Sequence, residues 1–259
     1  MKRIIQLVLI IALLSAVNIA FTEGIKPEIT SVTWSDEHDG VLITFQKNGI
    51  EGDYIIGCHM GAPNDLWNGA SGNSIHDSDE TVVYCWKSGN LIPGETSTFW
   101  IEVNTSENNV INSDEVGITI PLANAISPIK ILEYSVPDIS AQKLRVMQEQ
   151  LQEAYFQHQE ELDKYLLLRD DAYEQTVFAS FRTTDIVKVL IVAPDGTKAC
   201  FWAGNLPFEE QSEKYYDFAR NLADLFVFSF PVEVGSYEAR VFDWDRKCLI
   251  DSYSFNVCE

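Results

Sequence analysis

Asp77, Asp79 and Glu80 sit close together in the chain and offer hard oxygen ligands at alternate and adjacent positions, the donor type that calcium takes. A little upstream, Trp67 and Asn68 set an aromatic face beside a side-chain amide, with Asn64, Asp65 and Asn73 around them, a combination suited to a sugar ring. All of these residues belong to one polar stretch, 61–80, and long polar inserts are where binding residues collect. The acidic cluster lacks the Gly and the distal Glu of an EF-hand loop, so a plain acidic turn competes with calcium, and calcium is the only cofactor to weigh.

Catalytic constellations are missing. The sequence holds no G-x-S-x-G, no H-E-x-x-H and no glycine-rich phosphate loop. Of the four histidines, His38, His59, His76 and His158, the second stands beside Cys58, but neighbours on a strand point to opposite faces and form no dyad. His158 lies on an apolar helix face and reads as an interface residue, not a ligand. Thirty-nine carboxylates fix no pair at the separation that glycoside cleavage needs. The expectation is a protein that is not an enzyme.

The five cysteines take their meaning from the N-terminus. Lys2 and Arg3 precede an apolar run from Ile4 to Val17, and small residues follow near Ala20 to Thr22, so residues 1–22 read as a signal peptide and the chain as secreted. An uncleaved anchor is the alternative; after cleavage no membrane insertion is expected. In an exported chain, cysteines read as disulfides. Cys58 and Cys85 are the only pair in the first β region. In the second, Cys248 and Cys258 stand ten residues apart on one extended strand, roughly 33 Å at strand rise, beyond the roughly 7 Å limit for bridged Cα atoms. Cys200 therefore takes one of them; Cys248 is preferred, which leaves Cys258 free or intermolecular.

Charge narrows the partners. Against 18 Lys and Arg stand 39 Asp and Glu, a formal net charge of −21, which repels nucleic acid and anionic lipid headgroups. The candidate residues must be positioned by strands: 29–34, 41–45, 54–60, 81–86, 98–104 and 116–121 in the first half, rich in β-branched and aromatic residues and broken by turns. Between them and a second β region lies the segment 138–175, where Leu144, Met147, Leu151, Tyr155, Leu162, Tyr165, Leu168 and Ala172 trace one helical stripe. Asp138 or Ser140 can cap its start. As one helix its 38 residues span about 57 Å, enough for a connector; a break near Gln157 to Gln159 is the alternative. His158, Glu161 and Arg169 interrupt the seven-residue repeat, which argues against a coiled coil. In the second region a hairpin turns at Pro194-Asp195-Gly196-Thr197, a short helix is expected over 212–224, a strand over 225–230, and a closing hairpin after that.

Particular residues carry a resemblance. Leu91-Ile92-Pro93-Gly94-Glu95 followed by Phe99-Trp100-Ile101-Glu102-Val103 resembles the approach to the sixth strand of a fibronectin type III domain, and Ser113-Asp114-Glu115-Val116 with Ile118-Thr119-Ile120-Pro121 resembles its closing strand. Ser97 stands where that family has a tyrosine, and Phe45 where it has a tryptophan. In the second half, the run from Val234 to Asp243 is similar to the closing hairpin of bacterial immunoglobulin-like modules, with Tyr237 in the place of a tyrosine corner; Ala239 stands where an antibody domain has its second cysteine. The resemblance implies two antiparallel β-sandwich modules, fibronectin III-like at 25–122 and immunoglobulin-like at 176–259, and the apolar stripe adds a long α-helix at 138–175 that joins them, in a mainly β chain. A fold of this kind hosts many functions. With the missing motifs, it leads to the expectation of a non-catalytic interaction or scaffold protein that meets an extracellular protein or glycan. The alternative is a carbohydrate-binding or calcium-dependent module accessory to an extracellular enzyme.

Overall fold

Alternation builds the first unit. In β1 (Glu28–Ser35), β2 (Gly40–Gln46), β3 (Asp53–Met60), β4 (Trp67–Ala70), β5 (His76–Asp77), β6 (Thr81–Trp86), β7 (Thr96–Asn104), β8 (Val110–Asn112) and β9 (Val116–Thr119), every second residue of the longer strands is apolar. The computed structural model describes residues 25–61, 67–70, 74–87, 91–106, 109–204 and 218–259. It pairs these strands into two antiparallel sheets, β1-β2-β6-β5 and β4-β3-β7-β8, with β9 end to end with β8 along β7. Val41, Ile43, Phe45, Val82 and Trp86 of one sheet meet Ile56, Cys58, Phe99, Ile101 and Val103 of the other in a closed core. On the outer face Gly57 is obligatory: a Cβ there would lie 2.2 Å from the Trp100 ring.

The second unit runs β10 (Ile131–Ser135), β11 (Ile139–Ser140), α1 (Ala141–Gln157), α2 (Leu162–Thr176), β12 (Ser180–Thr183), β13 (Val187–Val192), β14 (Lys198–Ala203), α3 (Phe218–Phe228), β15 (Gly235–Asp243) and β16 (Cys248–Cys258). Five strands form a sheet in the order β11-β16-β15-β13-β14, and β10 pairs with β12 in a separate ribbon. Val187, Val189, Ile191, Ala199, Ala239 and Val241 share a core with Leu144, Met147 and Leu151 of α1, Tyr165 and Tyr173 of α2, and Leu222 and Phe226 of α3. Tyr237 is fully buried there. Its hydroxyl donates to the Glu233 carbonyl at 3.0 Å, the backbone tie that a tyrosine corner makes.

The chain is mainly β with several sheets, as expected; the single long helix is not found. The helix ends at Gln157, His158 caps it by donating its backbone N–H to the Ala154 carbonyl, and a new helix begins at Leu162. The reason lies in the stripe. Leu144, Met147 and Leu151 can reach the same core as Tyr165 and Tyr173 only if the chain reverses, and the polar run His158-Gln159-Glu160-Glu161 has little to bury and forms the turn. The segment 138–175 is therefore no connector but part of the second unit. Ser140 supplies the N-cap, its hydroxyl accepting from the Lys143 N–H. Gln148 and Gln152 donate to the carbonyls of Phe226, Phe230 and Val227 at and beyond the end of α3, groups a helix terminus leaves unpaired. The strand expected over 225–230 is also corrected: Phe218, Leu222, Leu225 and Phe226 recur at helical spacing, and α3 runs on to Phe228. The signal segment 1–22 lies outside the described residues. Among the described residues no helix is long and apolar enough to cross a membrane.

Candidate functional site

The five-stranded sheet has two used faces, because β13 buries residues on both sides. Odd-numbered residues of β13 face the helices. Lys188 and Leu190 face the other way, in register with Trp202 and Cys200 of β14 and with Phe242 and Arg240 of β15. Here Leu190 and Phe242 pack against Met60 and Ile92 of the first unit, with Val192 and Cys200 beside them.

Lys188 is the centre of this junction. Only 2% of it is exposed, and its ammonium donates to the Leu91 carbonyl of the first unit at 2.8 Å. The ammonium lies 5.0 Å from the Trp202 ring centre and 5.0 Å from that of Trp244, a cation held against two indole faces. Burial pushes its pKa down, and the neighbouring thiols Cys200 and Cys58 partly offset this. Around it runs a polar rim. Glu95 accepts from Lys198 at 2.7 Å and from Arg240 at 3.1 Å, and Arg240 also reaches Glu238 at 2.8 Å. That bond holds Glu238 below, and Arg240 above, its ordinary pKa. On the far side Lys247 pairs with Asp39 at 2.7 Å and sits over Trp244 and Trp34, whose rings meet edge to face at 6.2 Å. Burial alone would raise the Asp243 carboxyl, yet bonds from Ser127 and Arg246 hold it below its ordinary value. Ser127 belongs to the linker, which the Ala123 N–H ties to the Lys247 carbonyl at 2.7 Å.

The residues predicted from sequence lie elsewhere and are not gathered. Asp77, Asp79 and Glu80 are all exposed; Asp77 pairs with Lys47 at 2.7 Å, while Asp79 borders a shallow depression with Lys47, Glu51 and Tyr54. Among the described residues no group of three or more His, Cys, Asp or Glu side chains is placed to hold a metal ion. Trp67 and Asn68 lie on β4, opposite His59 and Cys58 in register, and their side chains fall outside the described residues. His59 and Cys58 do point apart. Cys58 enters the sandwich core, whereas His59 packs on Trp100 with Glu115 at 3.4 Å from its Nε2.

Neither expected disulfide is formed: no two of Cys58, Cys85, Cys200, Cys248 and Cys258 are bridged. Val82, Tyr84 and Trp86 of β6 face the sandwich core, so Cys85 points outward while Cys58 points in. Cys200 on β14 and Cys248 on β16 are separated by β13 and β15, three strand spacings or roughly 14 Å. Cys258 is exposed.

Sequence reasoning missed the junction because its members come from seven separate segments. One signal was available: Lys198, Cys200 and Trp202 alternate with Ala199, Phe201 and Ala203, which marks a strand with one amphipathic face.

No family model and no curated protein matches the chain in sequence. Solved structures found similar to it include a tetra-tandem repeat in the extending region of a large adhesion protein, at 12% identity and TM-score 0.26, covering 89% of this chain and 48% of that one. The FN1-FN3 domains of chicken CNTN1 match at 8% identity and TM-score 0.25, covering 92% of this chain and 70% of that one. An amphioxus IgVJ-C2 molecule matches at 7% identity and TM-score 0.18, covering 84% of this chain and 96% of that one. The chain thus spans about half the length of the adhesion-protein structure. By their names the second holds FN domains and the third is an Ig molecule, and TM-scores at this level carry nothing further over to this chain.

Proposed function

We propose that this is a secreted, non-catalytic interaction or scaffold protein that holds two β-rich units in one fixed relative orientation for an extracellular protein or glycan partner. The observation that supports this reading most is the buried Lys188 ammonium bonded to the Leu91 carbonyl across the junction. A hinge that must open does not bury a lysine, because each opening and closing would strip and restore its hydration. The rim adds direction: Glu95, with 13% of its side chain exposed, takes two cations from the second unit and fixes the angle between the sheets.

Glu95→Arg tests the orientation. It sets three cations together at the rim, and small-angle scattering should then show a longer molecule while circular dichroism keeps its β signal. An unchanged scattering profile would remove the fixed-orientation reading. A hydrolytic activity lost on changing one acidic residue would remove the non-catalytic one.

A further inference from the structure

The reversal between α1 and α2 frames a half-open cavity of about 310 Å³, lined by Tyr155, His158, Gln159, Leu162 and Tyr165. Tyr165 is only 4% exposed, and its hydroxyl makes no hydrogen bond among the described residues. Burial, reinforced by Asp224, pushes that hydroxyl's pKa up, so it stays a protonated donor across the physiological range. A buried hydroxyl with no partner costs about 1–3 kcal/mol, a cost that a ligand oxygen would relieve. Tyr155, 41% exposed, is held edge to face by three rings, those of Phe156 at 5.8 Å, Tyr165 at 5.5 Å and Phe228 at 5.8 Å. It is a rigid aromatic plate at the cavity wall.

The lining carries neutral polar groups: a phenol, an imidazole and an amide, with no Asp, Glu, Lys or Arg. The next residues along the turn, Glu160 and Glu161, are exposed carboxylates that oppose an anionic ligand. We infer that the elbow of the helical hairpin is a binding site for one neutral hexose unit of a glycan, stacked on Tyr155 and hydrogen-bonded by Tyr165, His158 and Gln159. An aromatic face supplies contact to the apolar side of a sugar ring, and neutral donors and acceptors match its hydroxyls. This rests on the proposed glycan-facing role and names the chemistry of its ligand.

The test titrates the full chain, by saturation-transfer NMR and calorimetry, with methyl glucoside, methyl galactoside and methyl mannoside, with glucuronate as the anionic control and N-acetyl-phenylalanine amide as an apolar one. At least one neutral glycoside should bind, about tenfold more tightly than glucuronate, and Tyr155→Ala should abolish the signal. Tyr165→Phe should weaken binding about three- to tenfold while the melting temperature stays level or rises, because the orphaned hydroxyl is gone. The inference falls if no glycoside binds, if binding survives both substitutions, if glucuronate binds as well, or if the phenylalanine amide binds instead. Scattering of Glu95→Arg separates the two readings: if no glycoside binds the native chain while Glu95→Arg still lengthens the molecule, the sugar site falls and the scaffold stands.

Discussion

The two faces of the five-stranded sheet are built on opposite terms. Toward the helices it presents Val187, Val189, Ile191, Ala199 and Val241, which interlock with three helices and carry no ionised group. Toward the first unit it presents Leu190, Phe242 and the buried Lys188 in the middle, and Lys198 and Arg240 around them. The first face is a core, where apolar volume decides stability. The second is closer to an interface, with a small apolar centre and a charged rim. Burial of this kind stabilises one face, whereas directional bonds on the other select one geometry.

Phe226→Ala should break the comparison hardest. Phe226 is fully buried in the helix-facing core, against Phe230 and Tyr237. Removing a buried ring costs about 3–5 kcal/mol. Urea unfolding should then show two transitions, the earlier one from the second unit, because the first unit keeps its own core of Val41, Phe45, Phe99 and Ile101. A single unshifted transition would mean that the helices do not carry that unit. Lys188→Ala should do less and act elsewhere. It removes the donor to the Leu91 carbonyl at a cost of about 1–3 kcal/mol. Trp202 and Trp244 fluorescence should shift to the red as water enters, with both units still folded. A blue-shifted or unchanged spectrum would mean that the junction does not depend on this lysine.

How far the sequence foretold these two faces follows from how local each signal is. The first unit's strands alternate with period two, so β2, β3, β6 and β7 were legible to within a few residues. The apolar stripe of α1 and α2 was equally clear, but a stripe reports what is buried and not what it is buried against. Leu144 to Ala172 fits a straight connector and a folded hairpin alike, and only the competition for one sheet face decides between them. The disulfides failed for a similar reason: their pairing depends on strand order and facing, which spacing along the chain does not contain. Tyr165 and Tyr155 were placed on the helical stripe, yet the cavity between them exists only because of the turn at His158.

The smallest predicted effect isolates Lys188 electrostatically. Its folded pKa lies below the ordinary 10.5, with burial as the main cause. The sign of the linkage follows. Well below the folded pKa, lysine is protonated in both the folded and unfolded chain, and the junction bears the full cost of the buried charge. As pH climbs from the folded pKa toward 10.5, the folded chain gives up its proton first, so stability from this group rises, and the gain is complete above 10.5. The neutral amine still donates to the Leu91 carbonyl, so the geometry survives while the indole–cation attraction is lost. Arg240, whose pKa is raised, remains charged against Glu95 throughout this window. Melting temperature followed from neutral pH to just below 10.5 should therefore fall less steeply in the native chain than in Lys188→Met, which has no proton to release. Equal slopes would show that the ammonium is hydrated, and the contrast between a core face and a charged interface face would then rest on Glu95 alone.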